Sequence, residues 1–418
     1  MLENYICALD IGSSKIAAVV AQVKKGHITR MSFETVAARG IKKGVIVDSV
    51  DLVDAITQLM KNLKASSGVT VRSLYANISG KHIMTKHSKG VIPLAERGNK
   101  VITASDIYKV NEQARILGSS IEEEIVHAIP FNYSIDPNTD IINPLGLYSH
   151  RLEVDLYLVC ANLASVQTVT HVVNQAGFDV KSLFFSGLAS SAIVLGDESQ
   201  KGSRVLCDIG SDVTELLFFK DGYLKNIRIL TTGGDALTAG LADTLNIPWD
   251  LAEDIKVSYG IIGDPSRIPE DKEVLIKKDN IYKPVKQRQV CEIITAKARS
   301  LSHAIKEAVE KEIPLVQIDT FATTGRTIFQ DGLLEMLESA LGIRVGCGRI
   351  TDPEIIPFVN RNDVLSGQKY LTYLTSMGII SKQIKELQPQ KDESISRVPD
   401  HPLLKLLHKI KEVYTEYF

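Results

Sequence analysis

Two short segments of the chain share one design. In CALDIGSSKIAAVV (7–20) an apolar run reaches Asp10, turns through Ile11-Gly12-Ser13-Ser14-Lys15, and becomes apolar again. In LCDIGSDVTELLFF (206–219) Asp208-Ile209-Gly210-Ser211 does the same. The flanking runs, rich in β-branched residues, read as paired strands. One such turn fits an ordinary hairpin with a polar tip. Two, each leading into strand, glycine turn, strand, turn, strand and helix, predict a duplicated α/β architecture with a site shared between the copies.

The turn composition suits a phosphate. Glycine lets backbone approach an anion closely, and successive N–H groups with serine hydroxyls can cradle phosphate oxygens. A carboxylate at the strand end can hold a hydrated Mg²⁺ that neutralises them. Facing turns would clamp a polyphosphate from both sides.

At 418 residues the chain exceeds one core, and about 150 residues per domain predicts two to four units. Net charge is −2, and no basic stripe with interleaved aromatics occurs, which excludes general nucleic-acid binding. Five cysteines, Cys7, Cys160, Cys207, Cys291 and Cys347, form no C-x-x-C pair and lie in or beside apolar runs. Buried thiols are expected, with neither a disulfide framework nor a zinc site. The first apolar run is short, lacks a basic leader and is broken by Asp10, and no stretch nears the roughly 20 apolar residues of a membrane span. The expectation is a protein of the reducing cytoplasm.

Along the chain, SVDLVDAITQLMKNLKASSG (49–68) has helical spacing at Val50, Val53, Ile56, Leu59, Met60 and Leu63. From residue 86 the texture changes to a polar hairpin-like start, a helix capped by Thr103 or Ser105, a region of Pro, Asn and Asp turns, and a strand at 151–160. Residues 86–162 thus read as an insert. Residues 197–203 suggest a hinge, 249–311 a helical region broken by a charged stretch at 264–289, and 364–380 a last structured helix. In TTGGDALT (231–238), Gly233 and Gly234 suit close packing near a ligand. Glu253 and Lys256, at i and i+3, fit either a surface ion pair or contacts to a ribose or base.

Residues 386–401 are polar, with prolines at 389 and 399, and read as a flexible linker. The stretch 402–418 differs. Leu403, Leu407, Ile410, Tyr414 and Tyr417 form one helical stripe, widened by Leu406, Val413 and Phe418, with Lys405, Lys409 and Lys411 opposite. Such a helix suits the headgroup plane of a membrane. Docking back on its own protein, or a coiled-coil seam, is the alternative.

Taken in order, DIGSSKIAAVV, ANISGKHI, VHAIPFNYSIDP, NPLGLYSHRLEV, GLASSAIVL, TTGGDALTAGLADTL and AEDIKVSYG resemble the bacterial cell-division protein FtsA family, within the actin-like ATPase superfamily. The likeness runs from about residue 4 to 380, and the terminal helix completes it. It implies two duplicated ribonuclease-H-type lobes. The first would comprise 1–85 (subdomain 1A), completed by 163–197 and 364–385, with 86–162 as the inserted subdomain (1C). The second would comprise 202–242 (2A), completed by 315–363, with 243–314 as subdomain 2B.

The resemblance also implies ATP with Mg²⁺ between the lobes, head-to-tail polymerisation, and binding of the C-terminal tail of the tubulin-like protein FtsZ. FtsZ filaments would thereby be tethered to the cytoplasmic face of the inner membrane at the division site, with other divisome proteins. Asp10, Gly12, Ser13, Ser14 and Lys15 match the first phosphate loop; Asp208, Gly210, Ser211 and Thr214 fall in the second; Gly233 and Gly234 match the neighbouring glycine pair. Glu253 and Lys256 match the adenosine-side helix, and Gly325 and Arg326 fall in the adenine loop. Asp10 and Asp208 would hold Mg²⁺ through water. In the helix 290–312, Lys297 and Arg299 are candidates to receive the acidic, apolar FtsZ tail.

The pattern breaks at three places. The family's Asp-Ile-Gly-Gly-Gly-Thr-Thr is here Asp208-Ile209-Gly210-Ser211-Asp212-Val213-Thr214. Asp212 is an unwelcome neighbour for phosphate, since like charges about 4 Å apart at a dielectric of 20 repel by about 4 kcal/mol. Thr-Gly-Gly-Gly-Ala becomes Thr324-Gly325-Arg326-Thr327-Ile328. Glu-Pro becomes Ser186-Gly187, removing a carboxylate expected beside the attacking water. Hydrolysis is therefore expected to be slow or absent. A pilus-assembly adaptor of the same fold and an actin-superfamily sugar kinase are the rival readings.

Overall fold

The computed structural model describes residues 4–387, apart from 43, 96–97, 136–137, 197–200, 279–280, 363–364, 366 and 368. Three antiparallel strands open the chain: β1 (Asn4–Ile11), β2 (Lys15–Lys24) and β3 (His27–Ala37). Helix α1 (Ser49–Ser67) starts at Asp48, whose carboxylate accepts from the backbone N–H groups of Val50 and Asp51, and ends at left-handed Gly68. It buries Leu52, Ile56, Leu59, Met60 and Leu63 on the sheet, while Val50, on the expected stripe, is exposed because it sits in the first turn. Strand β4 (Ser73–Ile78) then joins β1 in parallel.

A separate four-stranded sheet follows, built of β5 (Ile83–Pro93), β6 (Glu123–Ile135), β7 (Asn138–Ile141) and β8 (Arg151–Asn162), in the order β7-β6-β8-β5. Helix α2 (Ala104–Gly118) covers it from a reciprocal Thr103–Asp106 capping box, so Thr103 is the cap. Two expectations change here. The polar start is a long strand, and the turn-rich region holds β6, thirteen residues long. Pro130 misleads: opposite it the register slips, Leu156 facing Pro130 and Asp155 facing Asn132, so the proline sits at a bulge.

The chain returns through α3 (Leu163–Gln175), β9 (Asp179–Phe185) and α4 (Ser186–Val194), with β9 parallel to β4. The second unit repeats the first: β10 (Ser203–Ile209), β11 (Thr214–Lys220) and β12 (Tyr223–Leu230) are antiparallel. Then come α5 (Asp235–Leu245), α6 (Trp249–Tyr259), the hairpin β13 (Glu273–Lys278) with β14 (Ile281–Lys286), and α7 (Gln287–Glu310). The charged stretch is thus a hairpin within the helical region. Strand β15 (Thr320–Thr324), α8 (Leu333–Leu341), the short β16 (Gly346–Cys347) and α9 (Leu374–Leu387) complete the described chain.

The order β3-β2-β1-β4-β9 in one large sheet is β12-β11-β10-β15-β16 in the other, with matching parallel and antiparallel pairings. This is a duplication in topology, with the sheet of β5–β8 inserted after the fourth strand of the first copy. Helix α9 lies later than the expected 364–380, so Glu386 and Leu387, read as the start of the linker, are helical. It packs on α4 so closely that a Cβ at Gly378 would stand 1.9 Å from the Ala189 carbonyl oxygen. Four of the five cysteines are buried and Cys347 is half-buried; none is disulfide-bonded. Among the described residues no helix is long and apolar enough to cross a membrane. The linker from 388 and the whole amphipathic stretch 402–418 lie outside the described residues.

Candidate functional site

The twin turns are copies in geometry as well as sequence. Gly12 N–H donates to Lys15 O at 3.0 Å, and Gly210 N–H to Val213 O at 2.9 Å. On either glycine a Cβ would sit 3.0 Å from that same carbonyl. Both turns line one cavity of about 150 Å³, with Asp10, Gly12, Ser13, Ser14 and Lys15 contributed by the first and Asp208, Gly210, Ser211 and Asp212 by the second. Gly325 and Arg326 complete that wall. A second cavity of about 590 Å³ shares Ser13, Ser14, Ser211 and Arg326 with it and continues along Gly234, Trp249, Glu253, Lys256 and Tyr259. Two sequence candidates stand apart. Gly233 and Thr214 line neither cavity.

Their roles are in the scaffold. Thr214 is buried, with its hydroxyl donating to Thr232 O at 2.8 Å. The backbone N–H groups of Gly234 and Asp235 donate to Gly210 O and Ser211 O at 2.9 and 2.8 Å, so the glycine pair backs the second turn. A Cβ on Gly233 would stand 2.4 Å from Gly210 O. Gly325 is glycine for two reasons: its φ is +89°, and a Cβ would meet Ile209 O at 2.2 Å. Thr327 Oγ1 donates to Gly210 O at 2.8 Å, locking the 325–327 loop to the turn.

Asp10 is fixed from two sides. Lys15 Nζ donates to Oδ2 at 2.7 Å and Asn77 Nδ2 to Oδ1 at 2.7 Å, while Lys15 also reaches Thr372 O. Asp208 belongs to the same enclosure: burial first, then the nearby Asp10 charge, pushes its carboxyl up to about 6. Ser13 Oγ accepts from Gly44 N–H at 3.1 Å and Ser211 Oγ donates to Asp235 at 2.5 Å. Asp212 lies against Asp235, whose carboxyl is raised to about 6 by burial and by Asp212, with the Ser211 hydrogen bond opposing.

Glu253 and Lys256 are not a surface pair. Lys256 is buried, 2.6 Å from Glu253 and 2.8 Å from Thr238 Oγ1, and Thr238 in turn donates to Glu253 at 2.5 Å. The cluster ties α6 to α5 beneath the second cavity. Lys297 and Arg299 are exposed on α7, the Lys297 stem lying over Gly240, away from both cavities.

Sequence reasoning missed Asn77, Ser79, His82, Glu215 and Asp235, which line or brace the cleft. Glu215 had a legible signal, an acid at an inward strand position within an apolar run. Asn77 had none, because its partners Asp10 and Ser186 are distant in sequence.

The residues fit a polyphosphate better than a directly bound metal. Glycine turns that leave no room for a Cβ line one cavity from both sides. Among the described residues no three His, Cys, Asp or Glu side chains are grouped to ligate an ion.

Two lobes of one topology around a cleft lined by paired acidic glycine turns define an actin-like protein. Solved structures agree. The PilM–PilN type IV pilus biogenesis complex superposes with a TM-score of 0.62 at 15% identity, over 90% of this chain and 98% of that one. MreB5 of Spiroplasma citri bound to AMPPNP gives 0.51 at 9%, over 92% and 97%. A family model described as the SHS2 domain inserted in FtsA matches 80–160, and one described as cell division protein FtsA matches 205–374. FtsA of Borreliella burgdorferi is 28% identical over 74% of this chain and 76% of its own length; that of Pseudomonas aeruginosa is 24% identical over 97% and 96%. The chain belongs to the FtsA family of cell-division proteins.

Proposed function

We propose that this protein is an actin-like division adaptor. It binds ATP with Mg²⁺ between its lobes, polymerises head to tail, and binds the FtsZ C-terminal tail. Its terminal helix, 402–418, holds these filaments on the cytoplasmic face of the inner membrane. The observation that carries the nucleotide part is the pair of matched turns facing one cavity. Asp10, Gly12, Ser13, Ser14 and Lys15 with Asp208, Gly210 and Ser211 would hold the phosphates, and Glu253 and Lys256 would border the nucleoside. Mg²⁺ supplies positive charge beside the phosphates when bound, with Asp10 and Asp208 placed to hold its waters.

Hydrolysis is slow or absent on this reading. Ser186 stands where the family has a carboxylate, and its Oγ accepts from Asn77 Nδ2 at 2.8 Å, so that position offers no carboxylate base. Membrane attachment rests on the eight apolar side chains Leu403, Leu406, Leu407, Ile410, Val413, Tyr414, Tyr417 and Phe418, since Glu412 and Glu416 offset part of the lysine charge. Many weak anchors in one filament would act together.

Three measurements test this. Mg-ATP titration should give micromolar binding, with little phosphate release. The full chain should sediment with anionic vesicles and the chain lacking 402–418 should not. An FtsZ tail peptide should be captured and a pilus-protein N-terminal peptide should not; the reverse result would favour the pilus-adaptor reading.

A further inference from the structure

The two cavities of the cleft meet at Ser13, Ser14, Ser211 and Arg326, which line both. The three serines belong to the paired turns. This neck is therefore where phosphates in the smaller cavity would join a nucleoside in the larger one. Arg326 stands there on a fixed base. Gly325 before it is closed in by Ile209 O, Thr327 after it is hydrogen-bonded to Gly210 O, and Ile328 is buried. Arg326 itself is exposed, and among the described residues its side chain has no hydrogen bond or ion pair.

Carboxyls outnumber cations around the cleft. Four acidic side chains line the smaller cavity and three the larger, against Lys15, Lys256 and Arg326. Lys15 is committed to Asp10 and Thr372 O, and Lys256 to Glu253 and Thr238. Burial, then Lys81, lowers His82, so its ring adds no charge at neutral pH. Two of the acids, Asp212 and Asp235, lie against each other beside Ser211, one lining each cavity. A phosphate at the neck meets that pair, and Arg326 is the cation left to receive it. A guanidinium is permanently charged, and its paired N–H groups match two phosphate oxygens.

We propose that Arg326 binds the phosphate next to the ribose, at the neck between the two cavities. This rests on the nucleotide reading above. It gives position 326, where the family's loop has a glycine, a task on the phosphates and not on the base. Stacking on the base is the other use of a guanidinium plane. The neck favours the phosphate, because Arg326 shares it with the serines of both turns.

Isothermal titration of the full chain with Mg-ATP, Mg-ADP and AMP tests this, in the wild type, Arg326→Gln and Arg326→Lys. The wild type should bind all three, AMP most weakly. Arg326→Gln should weaken each by about 10- to 100-fold, and Arg326→Lys, which keeps the charge but not the plane, should recover most of that. Between 0.05 and 0.5 M salt the wild type should lose more affinity for Mg-ADP than Arg326→Gln does. The urea midpoint should not move, since the side chain is exposed and unpaired. A loss confined to Mg-ATP would overturn the role, as would Arg326→Lys binding no better than Arg326→Gln, which marks stacking on the base. So would AMP bound equally by wild type and Arg326→Gln or by neither, and so would a lowered urea midpoint, which marks a structural role. Absence of Mg-ATP binding by the wild type would overturn the nucleotide reading beneath it.

Discussion

Asn77 donates to Asp10 Oδ1 at 2.7 Å and to Ser186 Oγ at 2.8 Å, so one buried amide joins the first glycine turn to the start of α4. Its own oxygen accepts from Ile11 N–H at 2.6 Å. Asn77→Leu would strand three polar groups at once. The expected cost is about 2–4 kcal/mol, read as a lower urea midpoint with an unchanged m-value.

Helices α4 and α9 pack backbone to backbone at Gly378, where a Cβ would lie 1.9 Å from Ala189 O. Carbonyl oxygens cannot rotate aside as a flexible side chain can. Gly378→Ala should cost about 3 kcal/mol or more in thermal or urea unfolding. Gly263→Ala, with nothing within 4 Å of the added Cβ, should stay within about 0.5 kcal/mol.

The Lys256 ammonium is buried against Glu253, Thr238 and the Gly234 carbonyl. Glu253 is partly solvated, so Lys256→Met should cost only about 1–2 kcal/mol. That cost should change little between 0.05 and 0.5 M salt, because burial limits screening. Lys306→Met, removing a 3.9 Å surface pair with Glu310, should cost under about 0.5 kcal/mol.

Stability should fall as pH rises through the neutral range. Asp208 and Asp235 are raised to about 6 and Glu215 to about 8, above their unfolded values, chiefly by burial. The folded protein therefore binds these protons more tightly. Their contribution is full below about pH 4 and is lost as pH rises from there to about 6 for the two aspartates and to about 8 for Glu215, each group adding at most about 1.4 kcal/mol per unit. Urea unfolding of the ligand-free protein at pH 5 to 9 reads this. Glu215→Gln should remove the part of the decline between about 6 and 8; an unchanged slope would contradict the raised Glu215 carboxyl.

The strands around both turns were legible because an apolar, β-branched run bounded by Asp-x-Gly-Ser carries its own local signal. β6 was not, since Pro130 marks a turn in local reading and only pairing with β8 turns it into a bulge. The hairpin β13–β14 was hidden in a charged stretch, where alternation is weak. Thr214 and Gly233 show a related limit: residue type and spacing placed them at the turn, but not on the side that faces the cleft.

By itself the sequence determined the duplication, the two acidic turns, the family and the amphipathic pattern of 402–418, because each is written in contiguous residues. Tertiary structure decided which groups meet: Asn77 with Asp10 and Ser186, Ser79 with Glu215, and Lys256 with Thr238. Those contacts join residues far apart in the chain. Their burial and charge environment, and hence their protonation, exist only once the lobes close around them.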